Sequence, residues 1–363
     1  MGSLRTALPL VAVATFGVIV LAAVTTVGSN LGWDYQAYVD AGHRVLNGAP
    51  LYDAAADVAG PRGTYLYPPQ FAIAFVPFAA LPDQVGLWLW IGLGIVSFIA
   101  AVVIMPVDTS VRWAVLLLGS LDWPLIYSFR LGQVGPLLLL LFAVGWRWLD
   151  RPIILGLTMA AGVMIKVQPL LLLIWAAAVG RWRAVVVAAI AIVAAGILAT
   201  ILFGPGVWSD YLRLLGRVSS PVTTPHNFTP GGLAFQRGVP ENVASIIQVL
   251  SIVIVLATTF VAISRTSPEV SYLTTVIASQ LLSPVLWDHY ALVLLLPVAW
   301  LLQQGRWWAA AIPLLTSIPA LLILPSSIYL LVFAIGFLGP VVVYLMDPRI
   351  PPGDRVSMSV GST

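Results

Sequence analysis

The chain has 363 residues, 60% of them hydrophobic and only 9% charged, with a formal net charge of +3. A soluble domain carries about a quarter charged residues, so this composition excludes a soluble globular protein. Recurrent apolar runs of bilayer-crossing length define an all-α polytopic membrane protein. There is no cysteine, which removes disulfides, thiolate nucleophiles, iron–sulfur clusters and cysteine-bound zinc. The small positive charge is not clustered, so no nucleic-acid surface is expected.

The first apolar segment, Ala7 to Val27, is read as a retained helix rather than a cleaved leader. The stretch "LGWDYQAYVDAGHRVLNGAPLYD", Leu31 to Asp53, then gathers scarce charge just beyond it. A helix should begin at Asn30 or Gly32 and end at Asn47-Gly48 with a left-handed cap. On it, Asp40 precedes Arg44 by four residues, the favourable order for a surface ion pair. Asp34 lies in the first turn, where the helix dipole favours its ionised form. It is read either as a helix-start carboxylate or as a general base at the membrane–water boundary. The next segment, "GTYLYPPQFAIAFVPFAALP", brings Tyr65 and Tyr67 as interfacial aromatics. Its residues 68–82 are expected to form a short interfacial helix entered through Pro68-Pro69.

Further spans are expected at Gln84–Met105, Arg112–Phe129, Val134–Leu149, Pro152–Ile165, Val167–Val179 and Ala184–Phe203. They continue at Val243–Ser264, Glu269–Leu286, Tyr290–Leu302, Trp307–Ile323 and Ser327–Met346. If 68–82 does not span, Arg5, Arg112, Arg147, Arg151, Arg181, Arg183, Arg265, Arg306, Arg349 and Arg355 are cytoplasmic, ten of the 17 basic residues. The opposite threading leaves only Arg5, Arg130, Lys166, Arg213, Arg217 and Arg237 there, so the positive-inside rule selects the first. The expectation is about twelve spans with both termini inside, in a single domain over 1–350. Loops 28–83 and 204–242 lie outside, and 351–363 form a short disordered cytoplasmic tail.

The chemistry-bearing residues then gather on the extracytoplasmic face, where polar groups near hydrocarbon mark a site. Lys166, the sole lysine, is read as a snorkelling side chain or, on the side positive charge avoids, as a phosphate ligand. Arg130 is a helix-end residue or a partner of Gln133 at one outer turn. His289 in "WDHY" is a structural histidine or a hydrogen-bond donor to substrate, with Asp288 orienting it or binding sugar. His226 and Asn227 lie in "SSPVTTPHNFTPGGLAF", read as a connecting loop or an acceptor contact. Asp122 in "SLDWPLIY" falls within the membrane and should face the bundle interior, either helping the site or only bonded to a neighbouring helix. No Asp-x-Asp metal motif, P-loop or dinucleotide fingerprint is present, so no metal and no cofactor are expected.

An Asp after the first span, then "AYVDAGHRVLNGAPLYD" and "YLYPP" before a short apolar helix, resembles the signature of glycosyltransferase family 87. "RLGQVGPLLLLLFAVG", "GVMIKVQPLLLL" and "LLSPVLWDHYALVLLLP" follow in the family's order. The resemblance implies a C-fold membrane glycosyltransferase taking a sugar from a polyprenyl-phosphate carrier, in the bacterial plasma membrane with its site outside. It implies Asp34 as base, with Lys166, His289, Gln133 and Arg130 at the donor phosphate. Asp40, Tyr67, His226, Asn227 and Asp288 are further candidates for substrate contact. Mannose is the expected sugar and arabinofuranose its rival, with a glycolipid or polysaccharide as acceptor. A transporter or lipid-carrier flippase is the alternative class.

Overall fold

The computed structural model describes residues 2–26, 28–52, 64–218 and 221–347; Asp53 and the expected tail 351–363 lie outside the described residues. Among the described residues the chain is helical, with no strand. Helix α1 (Gly2–Thr25) is followed by α2 (Trp33–Leu46), which carries the charge-rich stretch. The expected interfacial helix is two short pieces, α3 (Pro69–Ile73) and α4 (Val76–Ala79), packed against α2. Each is far shorter than the roughly 20 residues needed to cross hydrocarbon. Next come α5 (Asp83–Ile104), α6 (Thr109–Leu121), α7 (Trp123–Leu131), α8 (Gly135–Arg147), α9 (Pro152–Ile165), α10 (Leu171–Ala178) and α11 (Trp182–Phe203). The chain continues through α12 (Gly206–Val218), α13 (Pro230–Gln236), α14 (Glu241–Arg265) and α15 (Pro268–Leu281). A 3-10 turn (Asp288–Leu294) then leads to α16 (Leu295–Gln303), α17 (Ala311–Leu315), α18 (Ile318–Leu321) and α19 (Ile328–Met346).

Among the described residues, five helices are long and apolar enough to cross a membrane: α1 from Ala7, α5, α11, α14 and α19. Helices α11 and α14 leave most of their apolar side chains uncovered, including Ile190, Ile201 and Phe260. Such a surface is stable against lipid and not against water. Helix α15 is the opposite case. Every residue from Val270 to Gln280 is buried, because α8, α10, α14 and α19 surround it.

Where continuous spans were expected at 112–129 and 307–323, both are broken, and proline is the reason. Pro124 and Pro319 sit in the first turn of α7 and α18, so neither can continue the preceding helix through an N–H bond. The two breaks face each other. Asp122 and Ser317 form an isolated bridge, the Trp123 N–H donates to Thr316 O at 3.0 Å, and the Thr316 hydroxyl donates to Asp122 Oδ1 at 2.5 Å. Each break supplies the partners that the other's freed backbone needs inside an apolar bundle. Asp122 is 2% exposed and faces the interior, and of the two expected roles its bond, to Thr316 between α17 and α18, is the one to a neighbouring segment.

Close backbone contact holds α9 to α11. A Cβ on Gly156 would come within 2.6 Å of Ala184 O and 2.7 Å of Val187 Cβ. Gly156→Leu should therefore push these helices apart and destabilise the protein by about 1–3 kcal/mol. Gly17→Leu, where an added Cβ meets nothing within 4 Å, should leave the thermal midpoint in detergent unchanged.

Candidate active site

Two glycine turns bring the first loop onto the bundle. Gly32 precedes α2 and Gly132 ends α7, both in the left-handed region with φ of 78° and 67°. The Gly32 N–H donates to Arg130 O at 2.8 Å, and the Trp90 indole donates to Gly132 O at 2.7 Å. A Cβ on Gly132 would lie 2.8 Å from Tyr35 Cβ and 3.6 Å from Gly32 Cα. Only glycine at both positions gives the left-handed turn and the close approach together. The consequence is that the first turn of α2 and the residue after Gly132 face each other.

Those residues are Asp34 and Gln133. The Gln133 amide donates from Nε2 to Asp34 Oδ2 at 2.5 Å, leaving Oδ1 of the half-buried aspartate for another partner. Burial is the largest influence on the Asp34 carboxyl and raises its pKa above the ordinary value. His289, the Gln133 hydrogen bond and Lys166 act in the opposite direction, while Asp288 adds to the rise. Residues from the α7–α8 turn, the end of α9 and the 3-10 turn before α16 thus act on one carboxylate of α2.

Lys166 follows the last residue of α9 with an extended backbone, φ −140° and ψ 145°. Its Nζ lies 4.0 Å from the centre of the Tyr290 ring and 5.6 Å from that of Tyr67. Among the described residues no carboxylate lies within ion-pair distance of it. A half-buried ammonium held over aromatic faces keeps its three donors for an anion. His289 is 5% exposed, and neither ring nitrogen has a hydrogen-bond partner. Its ring stacks on Trp287 and meets Tyr290 edge-on, while Nδ1 stands 3.6 Å from Asp288 Oδ1. Asp288 itself accepts from the Trp123 indole at 3.0 Å and from the His289 backbone N–H at 2.8 Å. A buried polar side chain without partners is uncommon, and an incoming acceptor such as a phosphate oxygen would supply one.

The remaining sequence-named residues fall at different distances from this centre. Arg130 lies over the Trp123 ring, 5.4 Å from its centre, on the turn that carries Gln133. Tyr67 is 8% exposed and packed among Tyr38, Tyr65 and Phe71, so it and Tyr65 are covered by protein. Asp40 is exposed on α2 and makes no ion pair with Arg44, whose guanidinium instead donates to Leu51 O at 3.1 Å. The loop has folded back to offer a carbonyl, a partner that i,i+4 spacing does not reveal. His226 is exposed with φ 55°. Asn227 is fully buried, and its side chain ties the second loop to the segment before Trp287. Its Oδ1 accepts from Thr229 N and Leu286 N, and its Nδ2 donates to Pro284 O. Tyr38, Trp123, Tyr127 and Tyr290 were not among the residues expected at the site. Tyr38 stands four residues after Asp34, on the same helix face, and that spacing was the available signal.

The fold and this centre describe a helical membrane protein that gathers the Asp34 and Asp288 carboxylates beside the Lys166 ammonium and the His289 ring. The family model of glycosyltransferase family 87 matches residues 65–286, more than half of the chain, and the protein belongs to that family. It is a membrane glycosyltransferase. No curated protein and no solved structure matches the chain. The matched span contains Tyr67, Arg130, Gln133, Lys166, His226 and Asn227, while Asp34, Asp40, Asp288 and His289 lie beyond its ends. Geometry joins the two groups.

Asn227→Ala would strip two buried backbone N–H groups of their acceptor. It should lower stability by about 1–3 kcal/mol, read as a fall in thermal midpoint in detergent.

Proposed function

We propose that the protein transfers a sugar, mannose in our reading, from a polyprenyl-phosphate carrier to a glycolipid or polysaccharide acceptor at the extracytoplasmic face of a bacterial plasma membrane. The observation that carries this reading is the convergence of Gln133, Lys166 and His289 from separate segments on the Asp34 carboxylate. A lipid-linked sugar phosphate needs an anion site and a base within one sugar's width of each other. Supporting the topology, counting the broken helix pairs as single crossings gives about twelve spans, and the arginines of helix ends then fall largely on the opposite side from the site.

In the mechanism, the acceptor hydroxyl lies at the free Oδ1 of Asp34. Its proton passes to Asp34 as the oxygen attacks the anomeric carbon. The bond from that carbon to the phosphate oxygen breaks, and polyprenyl phosphate leaves with the electron pair. Lys166, with His289 as donor, stabilises the charge gathering on the leaving phosphate. Asp34 afterwards returns its proton to water. Attack from the face opposite the phosphate inverts the anomeric centre, so a β-linked carrier sugar gives an α-linked product. The chemistry of the site favours a sugar phosphate in general; the choice of mannose over arabinofuranose rests on the family resemblance.

Asp34→Asn keeps the size and the Gln133 contact geometry but removes the base. It should lower transfer from a labelled polyprenyl-phosphate sugar by about 10²–10⁴-fold, with donor binding close to wild type. Transfer within a few-fold of wild type would remove Asp34 from the mechanism.

Lys166→Gln should raise the donor KM strongly, and Lys166→Arg should keep part of the binding, because phosphate accepts either cation. Equal, near-normal donor KM in both variants would return Lys166 to a snorkelling role.

A further inference from the structure

The Gln133 side chain can act on Asp34 in only one of its two orientations. A carboxamide turned one way offers its amino group to the carboxylate; turned the other way it offers an oxygen, which repels it. Around Gln133 Oε1 stand the Tyr38 hydroxyl, the Tyr67 hydroxyl and the Val134 N–H, each at 3.3 Å. The two hydroxyls also bond each other at 2.7 Å. Two hydroxyl protons are therefore shared between the tyrosine–tyrosine contact and the amide oxygen. On the other side of the carboxamide, Nε2 faces Asp34. Flipping the amide would set its amino group against a backbone N–H and its oxygen against a carboxylate.

Both tyrosines are buried, at 0% and 8% exposure, and their rings are fixed by Phe71, with Phe75 and Trp90 also packed on Tyr38. Their hydroxyls reach the site from α2 and from the residue preceding Pro68, and Pro68 leads directly into α3. The Tyr67 backbone is held in turn, since its carbonyl accepts the Tyr52 hydroxyl at 2.7 Å. A pair of hydroxyls spent on an amide oxygen, rather than on backbone or solvent, is a costly arrangement to bury unless the amide's orientation matters.

We infer that Tyr38 and Tyr67 are positioning residues that lock the Gln133 carboxamide with its amino group toward Asp34, keeping the free oxygen of the base on the acceptor hydroxyl. This rests on Asp34 being the base. Tyr67 has a second contact, its ring face toward the Lys166 ammonium, which places it between the acceptor and phosphate halves of the site. Removing only the hydroxyls separates the two roles, because phenylalanine keeps the ring.

The test is the pH dependence of kcat and of donor KM for Tyr38→Phe, Tyr67→Phe and the double variant, beside wild type and Asp34→Asn. Besides Tyr38 and Tyr67 themselves, the charged and titratable groups facing Asp34 are His289 and Asp288 from the 3-10 turn, Lys166 from the end of α9 and Tyr127 from α7. None of these four is altered in the variants. In wild type, kcat should fall in acid along a limb above the ordinary aspartate value of about 3.9. Losing the two hydroxyls weakens the hydrogen bond that favours the ionised carboxylate, so the limb should move to higher pH. The double variant should lose about tenfold in kcat below that limb and recover as pH rises above it, with donor KM unchanged. An unmoved limb, or a loss equal at every pH, would overturn the inference, the latter being what a packing defect produces. Should Asp34→Asn retain transfer, the base assignment falls instead, whatever the tyrosine variants do.

Discussion

The meeting of Gly32 and Gly132 is the constraint on which the rest of the site depends. One turn ends a buried helix and the other begins a helix outside the bundle, and the hydrogen bond from Gly32 N–H to Arg130 O fixes them together. Everything placed by that contact is one or two residues away: Asp34 on one side, Gln133 on the other. A side chain at Gly132 would be driven into Tyr35, and the carboxylate would swing off its amide. Misplacement of about 1 Å at a reacting group can cost roughly 10²-fold in rate, so under the proposed mechanism a residue that touches no substrate would still matter to the chemistry.

The second physical theme is the treatment of charge in a low-dielectric setting. Asp34 is raised by burial yet surrounded by groups that favour its ionised form, Gln133 by a direct bond and Lys166 and His289 through space. The ammonium lies over the Tyr290 ring rather than against a carboxylate. An aromatic face tolerates a cation without neutralising it, so the positive charge stays available. Asp122 shows the contrary arrangement. It is tied to Thr316 across two proline breaks, and its role is to close the gap those breaks open in the bundle.

Much of this was legible in the chain because membrane sequences are punctuated strongly. Pro152 opens α9 and Lys166 follows it, as read; Asn47-Gly48 ends α2, with the cap N–H of Asn47 returned to His43 O. Asp34, Lys166, Asp288 and His289, which the structure brings together, each stood out in the sequence, since charge is scarce enough that every ionisable side chain is conspicuous. What could not be read was their mutual approach. Nothing in the spacing of Asp34, Gln133 and His289 says that they meet, because helix packing decides it. The breaks at Asp122 and Ser317 were missed for a related reason: apolar content continues through them, and hydropathy does not register a proline at the second position of a new helix. The Asp40–Arg44 pair failed because Arg44 found the Leu51 carbonyl, a tertiary partner.

One demand on the chemistry cannot be met by any rearrangement of binding contacts. With Asp34 as base and no covalent intermediate, the reaction is a single displacement at the anomeric carbon. The direct measurement is the configuration of the product formed by purified enzyme from a polyprenyl-phosphate sugar of known anomeric configuration, read by NMR coupling at the anomeric centre. An α-linked product from a β-linked donor is the predicted result; a β-linked product would contradict the mechanism and with it the role given to Asp34.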